Sequence, residues 1–165
     1  MKKNVGAGAL AGLVGALALG LVMQFTTTAL TDGSRVPSTV AAARILHLQS
    51  AASGWLLVVV YGLVVGAGFG WLTAMRPLSA GRAVIAATFY SVTWWVIVSA
   101  GLVPALLGHI PWSSAAIDVA RKAAPSALVG SVLYGLVLGS VLTGLRRRAH
   151  RDQPHQRPAE RARAA

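Results

Sequence analysis

The sequence contains no cysteine and few charged residues. Without cysteine, disulfide bonds, thiolate catalysis and cysteine-ligated metals are excluded. Charged residues make up 12% of the 165 residues, about half of the roughly 25% that is usual in soluble domains. They cluster at the two ends and in short segments between long apolar runs. This distribution indicates that a lipid bilayer, rather than water, surrounds most of the chain.

Charged side chains, those of Asp, Glu, Lys and Arg, are also absent from the interiors of the apolar runs. Proton pumps and ion-coupled transporters usually carry such a group at membrane depth, so its absence argues against a coupled pump. A hydrolase would need a base beside a nucleophilic serine, and only the loops supply one. The restriction of bases to the loops favours a protein without catalytic activity.

Four apolar runs are long enough to cross a bilayer. They cover approximately residues 5–30, 51–75, 83–107 and 125–145, and each reaches the roughly 20 residues that an α-helix needs to span about 30 Å of hydrocarbon. The first run is too long for the core of a secretory signal and is predicted to be retained. The sequence therefore predicts an all-α membrane protein with four transmembrane helices.

The positive residues predict which side of the membrane each loop occupies. The net charge of +11 would also suit nucleic acid, but seven of the 15 lysines and arginines follow Leu145, directly after the last apolar run. Eleven of the 15 lie at the two ends or in the middle loop. By the positive-inside rule, both ends are predicted to be cytoplasmic. No nucleic acid partner is expected.

The same pattern divides the chain into two regions. Residues 1–145 are predicted to form the transmembrane domain, and residues 146–165 a basic, disordered cytoplasmic tail. The tail either fixes the topology alone or also binds anionic lipid head groups. Besides the bilayer, the predicted partners are other membrane proteins or further copies of this chain. No cofactor is predicted.

The two halves of the transmembrane domain resemble each other. The segment Y-G-L-V-V-G that begins at Tyr61 recurs as Y-G-L-V-L-G from Tyr134. A unit of two helices returns the chain to its starting side, so a copy of that unit has the same orientation. The sequence therefore predicts two parallel two-helix repeats, about 5–75 and 78–145, related by an axis along the membrane normal.

Each repeat also carries a proline-initiated segment in its outer loop. These segments begin at Pro37 and Pro111 and reach Arg44 and Arg121. Proline is favoured in a first helical turn, where its missing N–H costs nothing, and Trp112 suits the interfacial aromatic belt. Each segment is predicted to be a short interfacial helix, with a lid over a binding site as the alternative.

Small residues recur at four-residue spacing in three of the runs. Such spacing lets helix backbones approach closely, which matters in lipid because no hydrophobic drive operates between helices there. The stripes are predicted to pack helices within one chain, with oligomerisation as the alternative. The helix-packing residues are Gly8, Gly12, Gly62, Gly66, Gly70, Ser131, Gly135 and Gly139.

Tyr61 and Tyr134 are predicted to be buried near the middle of the bilayer, where the two Tyr-Gly stripes meet. A phenol at that depth needs a hydrogen-bond partner, because an unmade hydrogen bond is costly in an apolar medium. Helical side chains lean towards the amino end of the helix. This lean favours Gln24 as the partner of Tyr61 and Ser99 as the partner of Tyr134.

Two histidines, His47 and His109, are predicted to lie on the outer side. Haem or metal binding needs facing imidazoles on rigid elements. These two do not occupy equivalent positions in the repeats, and no carboxylate is patterned with them. They are weak candidates for a metal or haem site, and no metal is predicted.

The order of these features resembles the YagU-like group of small bacterial inner-membrane proteins. The matching residues are Pro37, Val40 and Arg44 after the first helix, then Tyr134, Gly135 and Gly139 in the last. The resemblance implies about four helices over most of residues 5–145, and it brings no particular activity.

The predicted function is that of a non-catalytic multi-pass membrane protein, either an accessory or scaffold subunit or a small homo-oligomer. The first alternative is a small-solute transporter or channel whose path runs between the repeats. The second is a haem- or metal-binding membrane protein that uses the outer histidines.

Overall fold

The computed structural model of the chain describes residues 2–29, 34–48, 50–76, 78–106, 108 and 110–151. Most of these residues are helical, and a short pair of strands lies between the first two helices. The elements are α1 (Lys2–Phe25), β1 (Thr27–Ala29), β2 (Arg35–Pro37), α2 (Ser38–Ile45), α3 (Ala51–Met75), α4 (Ala80–Val96), a π-helical segment (Ile97–Leu102), α5 (Val103–Leu106) and α6 (Ser114–Arg151).

Four helical stretches are long and apolar enough to cross a bilayer. They are Asn4–Phe25, Ala51–Met75, Ala80–Leu106 and Ala127–Ala149. Large apolar side chains project from the outside of the bundle, a placement that water would penalise and lipid would not. Examples are Leu10, Leu21, Leu56, Val64, Ile85 and Phe89. The prediction of a mostly helical protein with four helices able to span a membrane is confirmed.

A small antiparallel pair of strands corrects the predicted end of the first helix. The sequence predicts a helix to residue 30, but α1 ends at Phe25 and β1 pairs with β2 directly afterwards. β-Branched threonine favours an extended backbone. The hydroxyls of Thr26 and Thr28 also lie 3.0 and 2.9 Å from the Ser38 hydroxyl. These hydrogen bonds tie the strands to the start of α2.

The first outer segment is helical after Pro37, where α2 begins. It packs on the start of α3, because Gly54 lies directly against the carbonyl of Thr39. A glycine is needed at that contact, since any side chain at position 54 would overlap the carbonyl oxygen. The location of α2 at the membrane surface stays a prediction.

The third spanning helix changes its winding near its outer end. α4 gives way to π-helical winding at Ile97, and α5 completes the span. Pro104 in α5 has no N–H to offer the carbonyl of Ala100. That carbonyl accepts a hydrogen bond from the backbone N–H of Trp112, 2.9 Å away. The indole of Trp112 then packs against Gly101, so the loop folds back over the helix end.

The last helix is continuous where the sequence predicts two helices. α6 contains 38 residues and passes through Pro125 without ending. The predicted boundary between a second interfacial helix and the fourth span is therefore wrong. A proline inside a helix removes one backbone hydrogen bond but need not break the helix. At 1.5 Å per residue α6 is about 57 Å long, so it extends well beyond about 30 Å of hydrocarbon.

The predicted tail overlaps the end of this helix. The sequence places the start of a disordered tail at residue 146, but α6 continues to Arg151. A run of arginines with no glycine or proline has good helix propensity, which explains the extension. The remaining tail, residues 152–165, lies outside the described residues.

The spanning helices pack as two pairs joined along α1 and α6. α1 contacts α3 and α6, and α6 also contacts α4, whereas α3 and α4 have little backbone contact. The rings of Phe69 and Tyr90, 5.4 Å apart, join these last two helices. Each predicted repeat thus forms one helix pair, although the contacts between the pairs are not equivalent. The superposition of the two halves stays a prediction.

Candidate functional site

Tyr134 lies at the centre of the bundle. Its side chain is 1% exposed, and its hydroxyl donates a hydrogen bond to the carbonyl oxygen of Gly62, 3.0 Å away. A helical carbonyl has a second lone pair with which it can accept such a bond. The ring of the half-buried Tyr61 lies 6.1 Å from that of Tyr134, within the range of aromatic pairs. The two tyrosines are therefore in contact.

Ser99 does not serve Tyr134 as the sequence predicts. The α4 serine beside this part of α6 is Ser91, whose buried hydroxyl donates to the carbonyl of Ser131 at 2.5 Å. Ser99 follows Ser91 by eight residues, or about 12 Å along the helix axis, and is half-buried in the π-helical segment. The predicted pairing is wrong because Tyr134 finds a backbone carbonyl much closer at hand.

Gln24 belongs to a polar cluster at the outer end of the bundle. Its Oε1 accepts a hydrogen bond from the hydroxyl of Thr39 at 2.9 Å, and Thr39 is fully buried. Thr39 lies against Gly54, about 10 Å along α3 from Tyr61. Gln24 therefore binds α2 to α1 and does not serve Tyr61, contrary to the prediction.

The glycines of α1 and α3 lie directly against each other, and we call this contact the α1–α3 seam. A methyl group on Gly12 would lie 2.8 Å from the Cα of Gly66, and one on Gly8 would lie 2.7 Å from the Cα of Gly70. Gly62 continues the seam against Gly12 and Ala16. Because the neighbours are backbone atoms, they cannot move aside as a flexible side chain could.

A second seam of small residues joins α4 to α6. A methyl group on Gly135 would lie 2.5 Å from the Cα of Thr88, and one on Gly139 would lie 2.6 Å from the Cα of Val84. Ser131 continues this α4–α6 seam through its hydrogen bond from Ser91. All three stripes that the sequence marks are thus in contact with a helix of the same chain.

The stripes of α3 and α6 meet only around their tyrosines, which corrects part of the sequence-based prediction. Residues adjacent in sequence point about 100° apart around a helix with 3.6 residues per turn. The rings of Tyr61 and Tyr134 meet, and the Tyr134 hydroxyl reaches the carbonyl of Gly62. A side chain on the glycine after each tyrosine would instead point at α1 or α4.

The histidines provide no assembled metal site in the part of the chain that the structure describes. His47 is exposed, with a left-handed backbone φ of 59°, and His109 lies outside the described residues. Within those residues, no group of three or more histidine or carboxylate side chains converges.

Arg146 is a half-buried polar residue that the sequence pattern does not single out. It stands four residues after the buried Leu142, on the same face of α6. Its Nη2 donates to the hydroxyl of Thr73 at 2.7 Å, which links α6 to α3. Its Nε is buried without a hydrogen-bond partner. The four-residue spacing from Leu138 and Leu142 is the signal that identifies this face.

No protein-family model, curated protein or solved structure matches this chain. The site is therefore interpreted from its own geometry. The four apolar helices are compatible with a multi-pass membrane protein whose outer surface contacts lipid.

Hydroxyl groups inside the bundle largely donate to backbone carbonyls. Besides Tyr134 and Ser91, Thr73 donates to the carbonyl of Phe69 at 2.9 Å and Thr88 to that of Val84 at 3.0 Å. Such bonds satisfy a polar side chain within its own or a neighbouring helix. Chemically, this arrangement holds helices together and leaves these hydroxyls engaged in packing.

Proposed function

We propose that this chain is a non-catalytic multi-pass protein of the bacterial inner membrane. It acts as an accessory or scaffold subunit, or as a small homo-oligomer, with both ends in the cytoplasm. Its halves are two parallel repeats, and it is related to the YagU-like group. Its Arg-rich tail adds an attraction to anionic lipids.

The observation that carries this proposal is how the interior is filled. The α1–α3 seam brings backbone against backbone, and the central Tyr134 hydroxyl is bonded to a neighbouring helix. A solute pathway would require polar groups that face a cavity instead of one another. A closely packed interior suits a protein whose work is done at its outer surface.

The same seams restrict how copies or partners associate. Gly8, Gly12, Gly66 and Gly70 are covered within the chain. Association must therefore use the exposed faces, such as the α1 face that carries Leu10, Leu17 and Leu21.

In-cell photocrosslinking tests this proposal. A photoreactive amino acid at exposed Leu10, Leu56 or Ile85 should give a discrete adduct, to a partner or to a second copy, at one face of the bundle. The same amino acid at Leu138, which is fully buried, is the matched control and should give none. The absence of adducts from every exposed face would contradict the proposal.

A transporter is the second candidate, and the loose α3–α4 boundary favours it. These helices meet mainly through aromatic side chains, with Tyr90 against Phe69 and Gly68. Protein reconstituted in liposomes should show no flux of small solutes above that of empty liposomes if the scaffold proposal is right. Flux that Tyr90→Ala alters would favour the transporter.

A further inference from the structure

A cleft opens between α4 and α6 at the end of the bundle where α4 begins. Its volume is about 310 Å³. Gly81 and Gly144 line it, and a methyl group on either would meet no atom within 4 Å. Deeper in the bundle Gly139 lies directly against Val84. The two helices therefore separate towards this end, and the gap is open to the surroundings.

The mouth of the cleft is cationic and its interior is less polar. Arg147 lines the mouth with an exposed side chain. The first turn of α4 contributes Ala80 and Gly81, and the side chain of the N-cap residue Ser79 makes no capping hydrogen bond. The N–H groups of a first turn attract anions. Val84, Ser140 and Thr143 line the deeper part. The Thr143 hydroxyl donates to the carbonyl of Ser140 within α6, so the surface left there is mostly apolar and suits a hydrocarbon chain.

The parts of α4 and α6 around the cleft supply no negative charge to balance Arg147. The chain has a net charge of +11, and its four carboxylates are Asp32, Asp118, Asp152 and Glu160. None of these belongs to α3, to α4 or to residues 119–151. Arg146, on the turn that carries Arg147, has a buried Nε without a partner. The described residues at this end therefore supply no counter-charge for Arg147, and an anion that binds from outside the bundle would supply one.

We propose that this cleft binds an anionic phospholipid of the cytoplasmic leaflet. The phosphate group lies against Arg147 and the first turn of α4, and an acyl chain follows the cleft past Val84. The ligand needs both parts, because the cleft is charged at its mouth and mostly apolar below it. The site lies at the end of α6, before residues 152–165, and it rests on the proposed orientation, which places this end in the cytoplasm.

Native mass spectrometry of the purified full-length protein in mild detergent tests the site. The protein is titrated with phosphatidylglycerol and, separately, with phosphatidylcholine of the same chain length. Phosphatidylglycerol should bind at least fivefold more tightly. Arg147→Gln should weaken phosphatidylglycerol binding about fivefold, since one arginine near an anionic surface contributes about that factor. Arg148→Gln is the matched control: it removes the same charge from an exposed neighbour and should stay within twofold of the parent.

A second variant tests the shape of the site independently of charge. Gly144→Leu fills the cleft, and the open space around Gly144 lets the protein fold, which an unchanged melting temperature would verify. It should weaken phosphatidylglycerol binding as much as Arg147→Gln does.

Four results would overturn the proposal. The first is equal binding of phosphatidylglycerol and phosphatidylcholine. The second is an equal loss of phosphatidylglycerol binding in Arg147→Gln and Arg148→Gln, and the third is unchanged binding in Gly144→Leu. The fourth is full displacement of phosphatidylglycerol when soluble glycerol phosphate is added as a competitor. The second would indicate diffuse attraction, and the last a site for free phosphate. None of them bears on the crosslinking test, so failure of this site and failure of the scaffold proposal are distinguishable.

Discussion

At the scale of single residues, the polar groups of the interior act as links between helices. Tyr134 joins α6 to α3, Ser91 joins α4 to α6, and Thr39 joins α2 to α1. In lipid such bonds matter because the apolar surface of a helix gains little by leaving the surrounding hydrocarbon. Each link is a single hydrogen bond, so each is open to a conservative substitution.

Tyr134→Phe should destabilise the bundle by about 1 kcal/mol, because it removes the hydrogen bond to Gly62 and keeps the ring. The measurement is reversible unfolding in detergent. Tyr61→Phe is the comparison, since Tyr61 is less buried and meets Tyr134 through its ring. Its effect should be smaller. Equal losses of stability from the two substitutions would show that the hydrogen bond from Tyr134 to Gly62 does not stabilise the bundle.

Thr73→Val should also cost about 1 kcal/mol in the same assay. The substitution keeps the shape of Thr73 but removes the oxygen that accepts from Arg146. This loss of stability is smaller than is usual when a hydrogen bond to a charged donor is removed, because the long Arg146 side chain can reach water instead. Thr93→Val is the control, since that exposed hydroxyl bonds within its own helix. A control as destabilised as Thr73→Val would contradict this account.

Of the four polar residues predicted to be buried, Tyr134 is buried, whereas Gln24, Tyr61 and Ser99 are half-buried. Tyr134 is recognisable as buried because a phenol near the middle of an apolar run must avoid lipid. Its partner, the Gly62 carbonyl, is not recognisable, because every residue has a carbonyl and only the fold decides which one is near. Pairings between side chains alone, such as Tyr134 with Ser99, therefore leave out the commonest acceptor.

At the scale of elements, the two seams determine which helices pair. Gly8, Gly12 and Gly66 allow α1 and α3 to touch along their backbones, and Gly135 and Gly139 do the same for α6 on α4. The spacing of the glycines is visible in the sequence, but the partner helix is not. For that reason the stripes can be predicted from the sequence, but the helices that they contact cannot. The α3 glycines lie against α1 and the α6 glycines against α4, not against each other.

Gly12→Ala should destabilise the α1–α3 pair strongly, by about 2 kcal/mol or more, as overpacking does. Its new methyl group would meet the backbone of Gly62 and Gly66. Gly6→Ala is a matched control in the same helix, since a methyl group there meets nothing within 4 Å. It should be neutral or slightly stabilising because alanine favours helix. Thermal unfolding of the two variants in one detergent decides the matter, and equal melting temperatures would contradict the seam.

Helix boundaries show where composition alone fails. Residues 26–30 are apolar enough to extend α1, yet threonine hydroxyls and β-branched side chains turn the chain into a strand pair. At Pro125 the opposite occurs: the proline suggests a boundary, but the long helix passes through it. In both places the local signal is weaker than the surrounding structure.

At the scale of the whole molecule, the helices form a packed bundle whose two ends carry unequal charge. The four spanning helices carry apolar side chains towards lipid and small residues towards each other. Arginines gather at the end where α4 begins and α6 ends. The proposed membrane orientation is predicted from that asymmetry, and the proposed lipid at the α4–α6 cleft rests on the same orientation.

The central claim is that the chain crosses the membrane four times with both ends inside the cell. Its lack of cysteine permits a direct test, with single cysteines at positions 34, 79, 115 and 160 and an impermeant thiol reagent on intact cells. This topology predicts labelling at 34 and 115 in intact cells, and labelling at 79 and 160 only after the membrane is permeabilised. Labelling at 79 or 160 in intact cells, with none at 34 or 115, would contradict it.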